Sequence, residues 1–356
     1  MSKVAIIGSG MMGRVLAITL AKTYPELQID IYDKSLSYKH SCSYCAGGML
    51  SPLSELIACE KHAYELGHNS FELWNNINSF INKYLNITNI FVKEASTYVI
   101  AHNQDRYELD LAIRNINLRV DKLSKTLHQK ACEDFEICEK RNISSKEQGI
   151  SLSNSINDNV IKLKEALVDV PEFFKLSNQF FKAYENIKTL ELLKEDFYTK
   201  EFDKSYQQVF DCTGFPNNQL NNLYGSRGEA IVVKVANIKL NSVIRLLHPR
   251  HCIYLIPRGK GIFYIGATSI ESQDYSEISV QGVLELLSSL MIIDKRFAEA
   301  RVIKTLTNVR PVSSDDMPIL KSVGKITYLN GLSRHGYLFA PALANKVIQQ
   351  INNFQR

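Results

Sequence analysis

Four consecutive apolar positions, Val4-Ala5-Ile6-Ile7, break abruptly on Gly8-Ser9-Gly10-Met11-Met12-Gly13. A short unbroken apolar run that stops on glycine predicts a strand buried on both faces. From Met12 to Thr23 the apolar residues Val15, Leu16, Ile18 and Leu20 keep a helical period, and Tyr24-Pro25 ends it. Ile29-Asp30-Ile31-Tyr32-Asp33 then predicts a second strand that closes on an acid. Strand, tight turn, helix and strand in this order define a parallel β-α-β unit.

The pattern changes along the chain. Lys34 to His40 is a polar loop, and Cys45-Ala46-Gly47-Gly48-Met49-Leu50-Ser51-Pro52 ends in a proline expected to hold off helix until Ser54. Helical spacing occupies about Glu55 to Tyr84 and again Asp105 to Ala131, with an alternating strand, Phe91 to Ala101, between them. Lys140 to Asn159 is polar and rich in Ser and Asn, as an exposed connection would be. Asp169-Val170-Pro171-Glu172 reads as an N-cap opening a helix to about Asn186, and Gln208 to Gly214 as a buried strand with a glycine turn. Ala230–Val235, Cys252–Ile256 and Phe263–Ala267 are short apolar runs separated by turns, which predicts an antiparallel sheet. A helix at Val280 to Met291 interrupts it, and Leu338 to Ile351 closes the chain with Leu338, Ala342, Val347 and Ile351 on one face. Parallel-type segments thus stand at the start, near 170–215 and at the end, so the two halves interleave.

With 356 residues, two lobes are the default. The formal charge of +5 comes from dispersed Lys and Arg with no basic stripe, which argues against nucleic acid as a partner. No apolar run reaches the ~20 residues of a membrane span. The N-terminal apolar stretch lacks a basic leader and cleavage site and reads as a strand, not a signal peptide. Seven scattered cysteines, Cys42, Cys45, Cys59, Cys132, Cys138, Cys212 and Cys252, fit reduced thiols in a cytoplasmic protein. Cys42-Ser43-Tyr44-Cys45 has no second pair, and Pro249 breaks any helical clamp in His248-Pro249-Arg250-His251, so no metal is expected.

Candidate chemistry concentrates at the two ends. Gly8 serves a tight turn, Gly10 close approach of backbone to a pyrophosphate, and Gly13 helix-on-sheet packing, while the helix beginning near Met11 offers N–H groups to phosphates. Asp33 stands where an acid can accept from a ribose hydroxyl and disfavours a 2′-phosphate, hence NADP. These residues do not separate FAD from NAD. Gly47 and Gly48 could let backbone approach a flat ligand edge or could belong to a flexible surface loop. Arg310, kept out of helix by Pro311, offers a planar fork matching both oxygens of a carboxylate, although a salt bridge would also explain it. Arg334 precedes the N-terminus of the last helix, itself an anion site. Tyr254 alternates within a strand and could donate to a carboxylate or simply belong to the core.

The ordered set of these segments resembles the glycine oxidase branch of the D-amino-acid oxidase family, in particular the thiamine-pathway enzymes of bacteria. Carrying the resemblance are Gly8–Gly13, Ala46–Pro52, Asp211–Gly214, Arg227–Glu229, Arg245–Arg250, Tyr254–Arg258, Ile265–Ser272, Arg310-Pro311 with Asp315–Pro318, and Asn330–Leu338 with Ala340–Ala342. Between about Phe71 and Lys204 it is similar in pattern alone. The resemblance implies an α/β fold. In it, an FAD-binding Rossmann-like domain of the glutathione-reductase type (1–87, 169–216 and 307–356) interleaves with an antiparallel-sheet α+β substrate domain (88–168 and 217–306). It further implies noncovalent FAD, oxidation of glycine or a small amino acid to the imine, and reduction of O2 to hydrogen peroxide, with a place in thiamine biosynthesis.

By position, Arg310, Tyr254 and Arg334 resemble the residues on the substrate side. Gly8, Gly10, Met11, Met12, Gly13, Asp33 and Lys34 resemble the dinucleotide contacts. Ala46, Gly47, Gly48 and Met49 resemble the loop bordering the flavin ring, and Gly214, Arg334, His335, Gly336, Tyr337 and Leu338 the segments beside it. No side-chain base is needed in that chemistry once the substrate amine is neutral. Ser333 departs from the branch, which usually carries an aromatic residue there, and Asp33 stands where Glu is common. The last cysteine, Cys252, gives no support to a covalent flavin link. Expected partners are a small amino acid and O2, without nucleic acid or membrane, and relatives that often assemble make a homo-oligomer conceivable. Competing readings are a D-amino-acid dehydrogenase passing electrons to a quinone, a flavin-binding protein with weak catalysis, and a nicotinamide enzyme.

Overall fold

A computed structural model describes residues 3–58, 61–141, 143, 149–191, 205–217, 219–248 and 253–354. Cys59, Pro249, Arg250, His251 and Cys252 lie outside the described residues. The elements in chain order are β1 (Lys3–Ile7), α1 (Met11–Thr23), β2 (Gln28–Asp33), β3 (Met49–Leu50), α2 (Pro52–Ala58), α3 (Lys61–Gly67), α4 (Ser70–Leu85), β4 (Val92–Ala101), α5 (Arg106–Val120), α6 (Lys125–Glu133), β5 (Phe135–Glu139), β6 (Asn159–Val168) and α7 (Val170–Ala183). They continue with β7 (Ile187–Glu191), β8 (Gln208–Asp211), β9 (Leu223–Lys234), β10 (Val243–Leu247), β11 (Ile253–Pro257), β12 (Ile262–Gly266), β13 (Ile270–Glu271), α8 (Val280–Ile293), β14 (Arg301–Ser313), β15 (Ile319–Val323), β16 (Ile326–Asn330) and α9 (Gly336–Phe354).

The first sheet has the order β15-β16-β8-β1-β2-β7. Its pairs are parallel except for β15 with β16. The apolar run Val4–Ile7 is buried at its centre, as expected for a strand covered on both faces. Helices α1, α4, α7 and α9 share a core with this sheet, in which Trp74, Phe173, Phe174 and Phe180 are fully buried. Each such ring contributes roughly 1.5–3 kcal/mol over leaving it exposed. Asp169 caps α7 by accepting from the Glu172 N–H at 3.2 Å, with Pro171 in the first turn.

The second sheet runs β13-β9-β12-β11-β10-β4-β6-β3, with β14 added on β9 and β5 on β6. The runs in β9, β11 and β12 pair antiparallel, as expected, and the one exception in the sheet is β10, which pairs with β4 in parallel. Parallel neighbours need a long crossover, and the excursion through α5, β6, α7 and the first sheet supplies it. Residues 307–313 of β14 and Met49–Leu50 lie in this sheet, although the resemblance implied a place for both in the FAD-binding domain. Pro52 also differs from expectation. It begins α2 rather than delaying it, because a proline fits the first turn, where its missing N–H would be unbonded in any case.

Candidate active site

A cavity of ≈ 1330 Å³ opens where the carboxyl ends of β1, β2 and β8 face the second sheet. That position, outside the carboxyl ends of parallel strands, is where open α/β sheets bind ligands. It exceeds the roughly 300–1,000 Å³ of an ordinary small-molecule pocket, leaving room for a dinucleotide and a small substrate together. Its lining includes Gly8, Gly10, Met11, Met12, Asp33, Lys34, Ala46, Gly47, Gly48, Met49, Gly214, Tyr254, Arg310, Arg334, His335, Gly336, Tyr337 and Leu338. Gly13 does not line it. A Cβ there would collide with the Gly8 carbonyl oxygen, so this glycine serves the packing of α1 on β1.

Gly8 has φ +99° and packs on the Cys212 carbonyl at the end of β8, a conformation and a closeness that exclude any side chain. Gly10, by contrast, would place a Cβ no nearer than 3.7 Å to any neighbour, so its face is kept open toward the cavity. The Asp33 carboxylate holds the loop: Oδ2 accepts from the Ser9 N–H at 2.6 Å and the Ser9 hydroxyl at 2.8 Å. Arg14 grips the other side of the same residue, its Nε donating to the Ser9 carbonyl at 2.7 Å. Its guanidinium is sandwiched by Tyr38, Phe174 and Phe181 and bonded to Ser177 and Asn178. Burial lowers its pKa to about 10, opposed by Asp33. Nothing in the glycine spacing announced Arg14. The available signal was a charged residue set among the apolar residues that open α1.

The segment at Ala46–Met49 is not a loose surface loop. A Cβ at Gly47 would meet Ile256 Cδ1 at 2.6 Å, and Gly48 has φ +74° against the Val168 carbonyl. Arg258 donates to the Gly47 carbonyl at 2.8 Å and Tyr264 to that of Cys45 at 3.2 Å. Just before it, a single 3-10 turn at Cys42–Cys45 joins the parts of the site. Ser43 Oγ accepts from the Met11 N–H at 3.2 Å, and the Ser43 carbonyl from the Tyr337 hydroxyl at 2.9 Å. Both cysteines line the cavity, yet burial pushes the Cys42 thiol up to about 12 and raises Cys45 as well, which keeps them protonated. Among the described residues no cluster could hold a metal ion.

Arg310 lies inside the long edge strand β14, where Pro311 costs no interior ladder bond. Its two Nη atoms both donate to the Thr268 carbonyl at 3.1 Å, and a Cβ at Gly228 would collide with the guanidinium, so Gly228 makes the room it occupies. No carboxylate pairs with Arg310 among the described residues. Tyr254 stands opposite Arg245 in the β10–β11 register, with the Arg245 guanidinium 5.2 Å from its ring centre.

Arg334 has a partner that sequence reasoning missed. Glu55 Oε2 accepts from Arg334 Nη2 at 3.1 Å and lies 2.7 Å from His335 Nε2. Burial pushes the Glu55 carboxyl up, but His335 and Arg334 outweigh it and hold the carboxyl well below the usual range. Glu165, also buried, accepts from the Ser54 N–H at 2.8 Å and the Ser54 hydroxyl at 3.1 Å. Burial raises its carboxyl to about 7 against the opposing pull of the neighbouring Thr97 and Ser54. Because the folded carboxyl holds its proton to higher pH than the unfolded one, its stability contribution falls as pH rises from about 4.5 to about 7. Glu165→Gln is expected to flatten that fall, by up to roughly 3 kcal/mol across the window, in urea unfolding at a series of pH values.

Sheet order and cavity together define the class: a dinucleotide-binding α/β half sharing one cavity with a sheet that presents a guanidinium. Residues 182–350 match the family described as FAD dependent oxidoreductase (DAO). The putative thiamine biosynthesis oxidoreductase ThiO of Rhizobium etli is 41% identical over 152 residues, which cover 42% of this chain and 46% of that protein. The match therefore spans a little under half the length of that relative. In fold, the chain is similar to the glycine oxidase of Bacillus cereus (TM-score 0.79, 20% identity, 100% of this chain and 96% of that one). It is similar also to the glycine oxidase of Geobacillus kaustophilus (0.79, 18%, 99% and 95%) and to the iminodiacetate oxidase of Chelativorans (0.78, 17%, 98% and 95%). FAD fits the residues present: a glycine turn with an open face at Gly10, a helix N-terminus beside it, and an acid at the end of β2.

Proposed function

We propose that the protein is an FAD-dependent oxidase that converts glycine or another small amino acid to its imine while O2 is reduced to hydrogen peroxide, and that the imine serves thiazole formation in thiamine biosynthesis. The observation that carries this reading is the placement of Arg310. Its guanidinium faces the same cavity as the glycine loop and lacks a carboxylate partner among the described residues. The similarity to a putative thiamine biosynthesis oxidoreductase supports the pathway.

In this reading the α1 N-terminus at Gly10, Met11 and Met12 holds the pyrophosphate, and Asp33 and Lys34 border the ribose. Ala46–Met49, Gly214 and the start of α9 border the ring, held noncovalently. When bound, the flavin supplies a two-electron acceptor for the hydride of the substrate α-carbon. Arg310 grips the carboxylate, Tyr254 donates to it, and Arg334 sets the charge of the wall beside the ring. The enzyme contributes alignment and electrostatics rather than a side-chain base.

Anaerobic mixing of the holoprotein with glycine, followed by air with a peroxide assay, tests the proposal. Bleaching of the flavin band and its return with peroxide are expected. Bleaching without peroxide would shift the reading to a dehydrogenase, and no bleaching with glycine, sarcosine, D-alanine or D-proline would overturn it.

A further inference from the structure

The Glu55–Arg334 pair has a bearing on which acids the cavity takes. Helix α2 is fixed at both ends: Pro52 starts it, and Arg119 of α5 donates to the Leu56 and Ile57 carbonyls at 2.7 and 2.9 Å. Leu53, Leu56 and Ile57 bury into one core, leaving Glu55 turned to the cavity wall and 5% exposed. The Arg334 side chain reaches back to it while remaining half exposed. Three guanidiniums line the cavity, those of Arg245, Arg310 and Arg334. Arg245 is buried and donates to the Ser54 carbonyl at 2.7 Å, Arg334 is held by Glu55, and Arg310 has no carboxylate partner among the described residues.

We propose that Glu55 is a specificity-setting, positioning residue: by pairing with Arg334 it leaves Arg310 as the carboxylate receptor, so the cavity takes acids with one carboxylate and discriminates against those with two. Selection against a second charge by an acid already seated there is repulsion built into the wall. This rests on the reading of Arg310 given above.

The test is titration of the holoprotein with acetate, malonate, succinate and glutarate, followed by perturbation of the flavin spectrum. This reads binding without turnover, and the diacid series varies the spacing between its two carboxylates. Wild-type protein is expected to bind acetate at least tenfold more tightly than any of the diacids. Glu55→Gln is expected to bind one of the diacids at least tenfold more tightly than wild type, with acetate changed less than threefold, and adding Arg334→Gln to it should remove the gain. Arg334→Gln alone, which leaves the Glu55 charge in the wall, is expected to weaken acetate at least tenfold, and this holds the proposal to account even where Glu55→Gln loses flavin. An unchanged diacid-to-acetate ratio in Glu55→Gln, or unchanged acetate binding in Arg334→Gln, overturns it. Failure of wild type to bind acetate would sink the carboxylate site itself, and with it this proposal. Acetate binding with an unaltered ratio would sink this proposal alone.

Discussion

Replacing Arg310 by Ala is expected to raise KM for the amino acid by roughly 30- to 1,000-fold, the equivalent of about 2–4 kcal/mol, while flavin stays bound. The size follows from the geometry. The guanidinium occupies a space that Gly228 leaves for it, and its Nη atoms are fixed by the Thr268 carbonyl, so the fork is already oriented before a ligand arrives. A carboxylate meeting a fixed fork makes two charge-assisted bonds without first ordering a side chain. Arg310→Lys should restore little, since an ammonium is a point charge without the planar pair of donors. Steady-state KM, together with the flavin-to-protein ratio, checks this. Loss of flavin in the Ala variant would show that Arg310 supports the cofactor side instead.

The second large effect separates two glycines of one loop. Gly13→Ala is expected to destabilise the protein by about 1–3 kcal/mol or more and to cost it flavin, because the added carbon meets backbone, the Gly8 carbonyl, which cannot swing aside. Gly10→Ala should leave thermal stability nearly unchanged, its Cβ meeting only Ser43 Oγ at 3.7 Å, yet weaken flavin binding by intruding where phosphate must approach. Paired thermal melts and flavin titrations of the two variants distinguish packing from ligand contact. Equal losses of stability would contradict the separation.

The N-terminal unit was legible because each local signal agreed: a buried apolar run, a glycine break, a 3.6-residue period and a terminal acid. Asp169 was legible for the same reason, a cap with a proline beside it. Glu55 was not, since a single acid in a helical window normally signals the solvent face, and only tertiary packing turns that face inward. The length of β14 was hidden too. Its first residues are exposed on a sheet edge and show no alternation of burial, so no local pattern announced the strand that presents Arg310. Pairing of β4 with β10 joins segments that no local pattern relates.

The order of strands in the first sheet also sets a timetable. The central strand β1 leaves the ribosome before the other strands of its sheet, since its neighbour β8 ends at Asp211 and the strand beyond, β16, at Asn330. At roughly 5–20 residues per second of synthesis, the glycine loop waits on the order of tens of seconds for the strands that complete its sheet. Until β8 emerges, the nascent chain carries the apolar run Val4–Ile7 with one edge open to wrong pairing. The cavity at the glycine loop is accordingly completed late in the synthesis of the chain.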